Sequence, residues 1–413
     1  MIKLAILALL FGITMARPRW SLYLVLLASP LLAVYQSVGW DLRLWLAYFL
    51  GMRAILTTGG HVRSNVKLIA AAGLFFVIAG VVLQLRSSIV PPDDASSAQQ
   101  AFLYLFAGAM FAFAASQLLQ NTAHFRWALT CVAIAVSYTT GYALWERFFA
   151  SAEAQLRIGS TLINPNSLGA YASLCALTLL ISRRMIDSRS WRFVIWAGTL
   201  LSVTGVVLSL SRASILALTA GLIALWATRD NTMTLRRALT AVTGSVVLMA
   251  VLVTAIRNIR VSAGGADATK QRGTEIAQSM EDLTRYEAAT YSLKQWREHP
   301  FFGVGFMLFP GINYKDTGFF ATTHNTILEL LVGTGVVGIV LAAFIALQLW
   351  KNLSKSARLG LVPPVVAFLI NALFGDYAQA LELTAVLAIA YLVAEHIGSN
   401  IIVAPQQTQS SLR

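Results

Sequence analysis

The sequence predicts an all-α polytopic membrane protein with about twelve spanning helices. Three observations carry that expectation. Of 413 residues, 57% are hydrophobic and only 12% charged, mean hydropathy is +0.68, and the apolar residues fall in runs of bilayer length. An ordinary soluble domain carries about 25% charge. A soluble enzyme, a secreted disulfide scaffold, a disordered regulator and a DNA-binding protein are therefore excluded as whole-chain readings. The excess of 31 Lys+Arg over 18 Asp+Glu, net +13, has a topological reading. Cationic loops are held on the cytoplasmic side beside anionic lipid, so membrane lipids are implied as partners and nucleic acid is not. Cys131 and Cys175 lie inside apolar runs, where they read as small packing residues and not as a disulfide or metal pair.

A bilayer core of about 30 Å needs roughly 20 helical residues. Apolar runs fall near 20–37, 66–85, 101–119, 126–146, 166–182, 193–211, 213–228, 238–256, 325–350, 359–374 and 382–399. The run 40–57 is counted as a further span, with Asp41, Arg43 and Arg53 near its ends able to snorkel. Residues 2–16 are short and flanked by Lys3, Arg17 and Arg19. They read as a thirteenth span, an interfacial helix or a signal peptide, with an uncleaved segment preferred.

Loop charge sets the orientation. Arg183, Arg184, Arg189 and Arg192 share one connection, Arg229, Arg236 and Arg237 another, and Lys351, Lys355 and Arg358 a third; these are expected to be cytoplasmic. Alternation then places 86–100, 147–165, residue 212, 257–323 and 375–381 on the opposite face. The expected organisation is membrane helices over 1–256, an outer segment over 257–323, membrane helices over 324–404 and a cytoplasmic tail over 405–413. Within the outer segment, Leu283, Tyr286, Ala289, Leu293 and Trp296 recur at helical spacing. An amphipathic helix over 283–298, capped by Asp282 and lying over the membrane domain, follows. His299-Pro300 ends it, and Gly303 and Gly305 permit a tight turn.

Phe193 to Thr228 is 36 residues with Arg212 as its single charge, too long for one span and right for a hairpin with Arg212 at the tip. Ser211-Arg212 either merely closes that hairpin or offers a cation to a phosphate at membrane depth. His324 opens the next span; it is either a polar anchor or, with an ordinary pKa near 6.5, a proton acceptor. Gly333, Gly335 and Gly338 read as close helix–helix contacts. Arg285 is a solvated charge of the outer helix or one of two guanidinium groups gripping a diphosphate. Arg157 and Asp376 are further candidates on the same face, and Tyr314 of the outer segment joins the substrate-binding set. No Asp-x-Asp pair, His/Cys cluster, His-x-x-x-His or phosphate-binding loop is present in the sequence. No cofactor and no metal site are expected.

These residues resemble a family, the O-antigen ligase and O-antigen polymerase superfamily of bacterial surface-polysaccharide enzymes. The ligase pattern of His, Asn/Ser/Gln, nine residues, Gly, two residues and Gly/Thr/Tyr is met by His324, Asn325, Gly335 and Gly338. Arg285, Trp296 and His299-Pro300-Phe301-Phe302-Gly303-Val304-Gly305 precede it, as in the family's outer loop. Ser211-Arg212-Ala213 and Asn164-Pro165-Asn166 match in type and order, so the resemblance covers about 150–380.

The resemblance implies a metal-independent, inverting glycosyltransferase with a GT-C-like fold on the periplasmic face of the bacterial inner membrane. Its donor would be an O-antigen glycan on undecaprenyl diphosphate and its acceptor a sugar hydroxyl of lipid A-core oligosaccharide. His324 would be the base, Arg212 and Arg285 would meet the diphosphate, and Arg157, Asn166, Asn325, Asp376 and Tyr314 would line the substrate site. An O-antigen polymerase and a protein O-oligosaccharyltransferase would use the same donor class. A polyprenyl-diphosphate transporter would bind with the same residues and do no chemistry.

Overall fold

A computed structural model of the chain describes residues 2–31, 41–57, 66–149, 160–186, 188–228, 285–317, 322–375, 377 and 380–410. Among these the secondary structure is entirely helical. The helices are α1 (Ile2–Ala16), α2 (Pro18–Ala28), α3 (Leu42–Thr57), α4 (Val66–Arg86), α5 (Pro92–Leu118), α6 (Thr122–Phe149), α7 (Pro165–Ser182), α8 (Arg189–Ser209) and α9 (Arg212–Ala227). They continue as α10 (285–298), α11 (Phe309–Thr317), α12 (Thr326–Asn352), α13 (Lys355–Phe374) and α14 (Leu381–Ser410). Seven helices of the described residues are long and apolar enough to cross a membrane, so the chain is a multi-pass membrane protein. The expected span at 238–256, Asp282 and the start of the amphipathic helix fall outside the described residues.

The count of twelve spans is not reached on length alone. At 16 residues each, α3 and α9 are shorter than a full bilayer crossing. Residues 2–16 form α1, which is separated from α2 by Arg17 with Pro18 at the first helical position.

The bundle is organised around α7, whose residues Leu168 through Leu179 are all buried. Small side chains make this central place attainable: Gly169, Ala170, Ala172, Ser173, Cys175 and Ala176 let neighbouring backbones come close. Helices α8, α9, α13 and α14 pack around it, α6 lies against α8, and α3 against α5. At the rim, α4 presents Leu74, Val77, Val81 and Leu85 outward, the surface a lipid-facing helix requires.

The expectation that Arg43 snorkels from its span is overturned. Its side chain is 1% exposed, with Nη2 2.6 Å and Nε 3.0 Å from the Asp41 carboxylate. Nη1 donates to the Ser29 carbonyl and lies 3.8 Å from Glu382 Oε2, while Tyr104 donates to Asp41 over 2.6 Å. A buried guanidinium needs its charge and its five N–H groups answered inside the protein, and four helices converge here to do so.

Gly335 also departs from its expected role. It breaks α12 with φ 65° and ψ −169°, and it meets an incoming loop, not a neighbouring helix. A β-carbon there would fall 2.2 Å from the Phe301 carbonyl oxygen. At the break, the amides of Val336 and Val337 donate to Pro300 O (2.9 Å) and Phe301 O (3.1 Å). The abandoned carbonyls of Val332 and Gly333 accept from the amides of Val304 (2.8 Å) and Gly305 (3.1 Å). Two helical hydrogen bonds are thus replaced by four to the segment 300–305. The turn expected at Gly303 and Gly305 thus docks beside α12, about 15 Å along the helix from its start. Irregular backbone at such depth is tolerated only when its polar groups are answered by protein, as they are here.

Gly335→Ala forces a β-carbon into a backbone region that essentially only glycine adopts, at about 1–3 kcal/mol, and onto the Phe301 carbonyl. The thermal midpoint of the detergent-solubilised protein should fall by several degrees. Gly73→Ala on α4, where a β-carbon meets nothing within 4 Å, should be neutral or stabilising by up to about 1 kcal/mol. Equal midpoints for the two variants would contradict the role given to Gly335.

Candidate functional site

The helix ends on one face of the bundle are joined by a continuous set of hydrogen bonds. At the start of α12, Asn325 caps the helix by accepting from the Leu328 amide (3.0 Å), and its Nδ2 donates to the Leu373 carbonyl at the end of α13 (3.2 Å). Next to it, Thr326 donates through N (3.0 Å) and Oγ1 (2.8 Å) to the Gly375 carbonyl. The same Oγ1 accepts from the Tyr377 amide at 2.8 Å. Tyr377 then reaches with its hydroxyl to the Asn166 carbonyl on the first turn of α7, 3.2 Å away. The α7 cap is Asn164, which accepts from the Asn166 amide at 2.8 Å.

The hairpin tip is tied to the same place. Leu210 adopts a left-handed conformation (φ 48°) and Ser211 caps α9 by accepting from the Ser214 amide. Ser214 Oγ donates to Asn371 Oδ1 on α13 (2.9 Å), and Asn371 Nδ2 donates to Ser173 Oγ on α7 (3.1 Å). All of these side chains are 0–1% exposed. Gly169 permits the contact, since a β-carbon there would sit 2.5 Å from Ser214 Oγ.

The sequence-expected residues can now be placed. Arg212 stands at the first position of α9, exposed, and the hairpin closes through Leu210 and Ser211 without its guanidinium. His324 immediately precedes the α12 cap, half-buried, with φ 50°. For a residue with a β-carbon this left-handed backbone is uncommon, and its neighbours Thr323 and Asn325 are hydrogen-bonded to each other across it. His324, Asn325, Asn166 and the Arg212 tip are thus brought to one face.

Arg285 opens the described part of α10, half-buried, and Tyr314 is 50% exposed on α11. Both belong to the outer segment, which hydrogen bonds tie to the end of α4 and to α12 and which packs against the start of α5. Lys315 donates to the Ile89 carbonyl (3.0 Å), and Val304, Leu308, Phe309 and Ile312 share a core with Leu83, Val90 and Val332. Tyr291 of α10 donates to Asp316, and burial with that bond raises its phenol to about 12. Arg157 and Asp376 lie outside the described residues.

Sequence reasoning missed Asn371, Ser214, Tyr377 and the Asp41–Arg43–Tyr104–Glu382 cluster. A lone amide in the apolar run 359–374 and an acid opening the run after it were the available signals. Among the described residues no group of three or more His, Cys, Asp or Glu side chains has the arrangement to hold a metal ion.

Helices α7, α9, α12 and α14 all begin on this face, and a helix start carries the positive end of its dipole and unpaired N–H groups. The buried carboxylates Glu329 and Glu382 stand in the first turns of α12 and α14, so the starts of α7 and α9, with Arg212 at the edge, are the part suited to an anion.

Residues 197–343 match the family Wzy_C, described as O-Antigen ligase. That match, over about a third of the chain, supports a relationship to the O-antigen ligase/Wzy superfamily. The matched stretch runs from α8 into the second half of α12, so it contains Arg212, Arg285, the 299–305 segment, His324, Asn325 and Gly335. No curated protein matches the chain. The O-antigen ligase family consists of glycosyltransferase-like membrane enzymes acting on lipid-linked polysaccharide and lipid A-core.

The buried charge cluster gives a stability test of this face's support. Arg43→Met strands two buried carboxylates and should cost about 3–5 kcal/mol, read from detergent or urea unfolding of the purified protein. Asp41→Leu combined with Arg43→Met should recover much of that loss. A single variant as stable as the parent would remove the cluster from the architecture.

Proposed function

We propose that the chain is an O-antigen ligase of the bacterial inner membrane, with its site facing the periplasm. It transfers an O-antigen glycan from undecaprenyl diphosphate to a sugar hydroxyl of lipid A-core oligosaccharide. The observation that carries this reading is the gathering of His324, Arg212 and the starts of four helices on one face, within a chain whose matched family stretch contains both residues. The acceptor hydroxyl oxygen attacks the anomeric carbon as the bond to the diphosphate oxygen breaks. The hydroxyl proton passes to the His324 imidazole, and undecaprenyl diphosphate leaves as an anion. Attack from the face opposite the leaving group inverts the anomeric centre.

Charge growing on the diphosphate is met by the guanidinium groups of Arg212 and Arg285 and by the helix starts, donors already oriented before the reaction begins. A metal is not needed for that task. Asn166, Asn325, Tyr314, Arg157 and Asp376 complete the substrate-binding set. Arg285 enters from the outer segment, which makes that segment the closing wall of the site.

The purified chain incubated with lipid-linked glycan and lipid A-core should yield a larger glycolipid, in EDTA as well as without it. Product formed only when a second lipid-linked glycan is the acceptor would make the chain a polymerase; no product with either acceptor would leave binding without transfer. A cysteine replacing Ser96, in a chain lacking Cys131 and Cys175, should label from the periplasmic side alone. Labelling from the cytoplasm would reverse the orientation.

His324→Ala should lower single-turnover transfer by about 10² to 10⁴, the worth of a positioned base, with donor binding nearly unchanged. Rescue by Gln, which keeps a hydrogen-bonding head and cannot take up the proton, would reduce His324 to a positioning residue. Arg212→Lys keeps the charge but loses the planar fork, so its transfer should fall well below that of the parent.

A further inference from the structure

The outer segment is held in the α12 break by backbone hydrogen bonds, and one side-chain contact pins its entrance. Arg86 at the end of α4 places Nη2 3.2 Å from Nδ1 of His299. A guanidinium has donors and no acceptor, so Nδ1 must present its lone pair and the imidazole proton must sit on Nε2. His299 is where α10 stops: its amide binds back to the Trp296 carbonyl (3.0 Å), and its carbonyl accepts from the Gly303 amide (3.0 Å). The very next residues, Pro300 and Phe301, supply the two carbonyls that satisfy α12. Whatever moves His299 moves that clasp.

We propose that Arg86 and His299 form a proton-sensitive latch that positions the 300–305 segment in the break of α12. With the imidazole neutral, the latch accepts the Arg86 hydrogen bond. On protonation Nδ1 becomes a donor facing a donor, and two positive charges stand in contact. The contact must then open, loosening the clasp.

The surroundings reinforce the neutral state. Burial first, and then Arg86, hold the His299 pKa below its ordinary value, opposed by Glu298 on its own helix. The facing stretch 332–337 of α12 is uncharged. On α11, Lys315 is engaged with the Ile89 carbonyl and Asp316 with Tyr291, while Asp94 of α5 lies against Gly311. Because the folded pKa is depressed, the latch's contribution is full above the ordinary histidine value and is lost as pH falls through and below it. This inference concerns the clasp and stands independently of the transfer reaction.

Hydrogen exchange of the full chain in detergent tests it, read at the amides of Val304, Gly305, Val336 and Val337 and corrected for intrinsic chemical rates. Protection should fall by about twofold to tenfold between pH 7.5 and pH 5, the worth of one hydrogen bond. His299→Asn puts an amide oxygen near the Nδ1 position and cannot titrate, so it should keep the pH 7.5 protection at pH 5. Arg86→Met, which removes the donor, should lower protection at pH 7.5 and flatten the pH response. If the Asn variant does not fold, Arg86→Met decides. Equal corrected protection at both pH values in the parent chain overturns the proposal. So does a wild-type pH response in either folded variant.

Discussion

The arrangement of this protein depends on how two broken helical hydrogen bonds in α12 are replaced. A helix interrupted at membrane depth leaves two carbonyls and two amides without their helical partners, and lipid offers nothing in exchange. The segment 300–305 brings two carbonyls and two amides to the break, at 2.8–3.1 Å. This constraint fixes Gly303 and Gly335, whose positive φ values and close backbone approach exclude a β-carbon. It also ties the outer segment to the membrane domain, so that α10 and α11 are continuous in their packing with α4, α5 and α12. The first half of α12, from Thr326 to Thr334, becomes a short helix gripped at both ends. Gly375 and Tyr377 hold its start, and Pro300 to Gly305 hold its finish.

Much of this was legible in the sequence, for reasons of scale. A span of about 20 apolar residues is a strong signal, and α4, α5, α6, α8, α12, α13 and α14 follow their expected runs closely. The α8–α9 hairpin was readable from a single charge in 36 apolar residues, and the end of α10 from His299-Pro300. What hydropathy does not report is how a helix is satisfied along its length. Gly333, Gly335 and Gly338 carry the same composition whether they admit a neighbouring helix or an inserted loop. The choice was made by Pro300 to Gly305, which lies 30 residues earlier in the chain.

The residues of the proposed site stand out in the sequence by their chemistry, and the residues that support them do not. His324 and Arg212 stand out because an imidazole and a guanidinium at the ends of apolar runs are unusual. Asn371, Ser214 and Ser173 do not stand out, since each is a small polar residue inside an apolar run. Only their mutual hydrogen bonds at 2.9 and 3.1 Å give them a role. Arg43 shows the reverse error. Its position near a helix end suggested escape to water, whereas Asp41, Glu382, Tyr104 and the Ser29 carbonyl give it a complete set of partners within the protein. Arg157 and Asp376 were chosen for type and side alone, and their role stays with the proposed substrate site.

Two packing units meet at α12. The large core gathers α2, α3 and α5–α9 with α13 and α14, and carries the Arg212 tip. The smaller one gathers the end of α4, the start of α5, the outer segment and Val332, and carries Arg285. Helix α12 contributes Val332 to the smaller unit while its start is hydrogen-bonded to residues of the larger one. His324 sits at that start, so both units bear on its geometry. In a transfer reaction the base must meet an acceptor hydroxyl while the guanidinium groups meet the diphosphate, and small displacements of such groups are costly in rate. On the proposed reading, a short helix clamped at both ends, with His324 at one clamp and the outer segment at the other, relates those two demands mechanically. The same clamp explains why the break lies within α12 and not at its start: a loop docking at the start would compete with Gly375 and Tyr377 for Thr326. Docking nearly three turns further along leaves the cap free for Asn325 and joins the outer segment to the helix that begins beside His324.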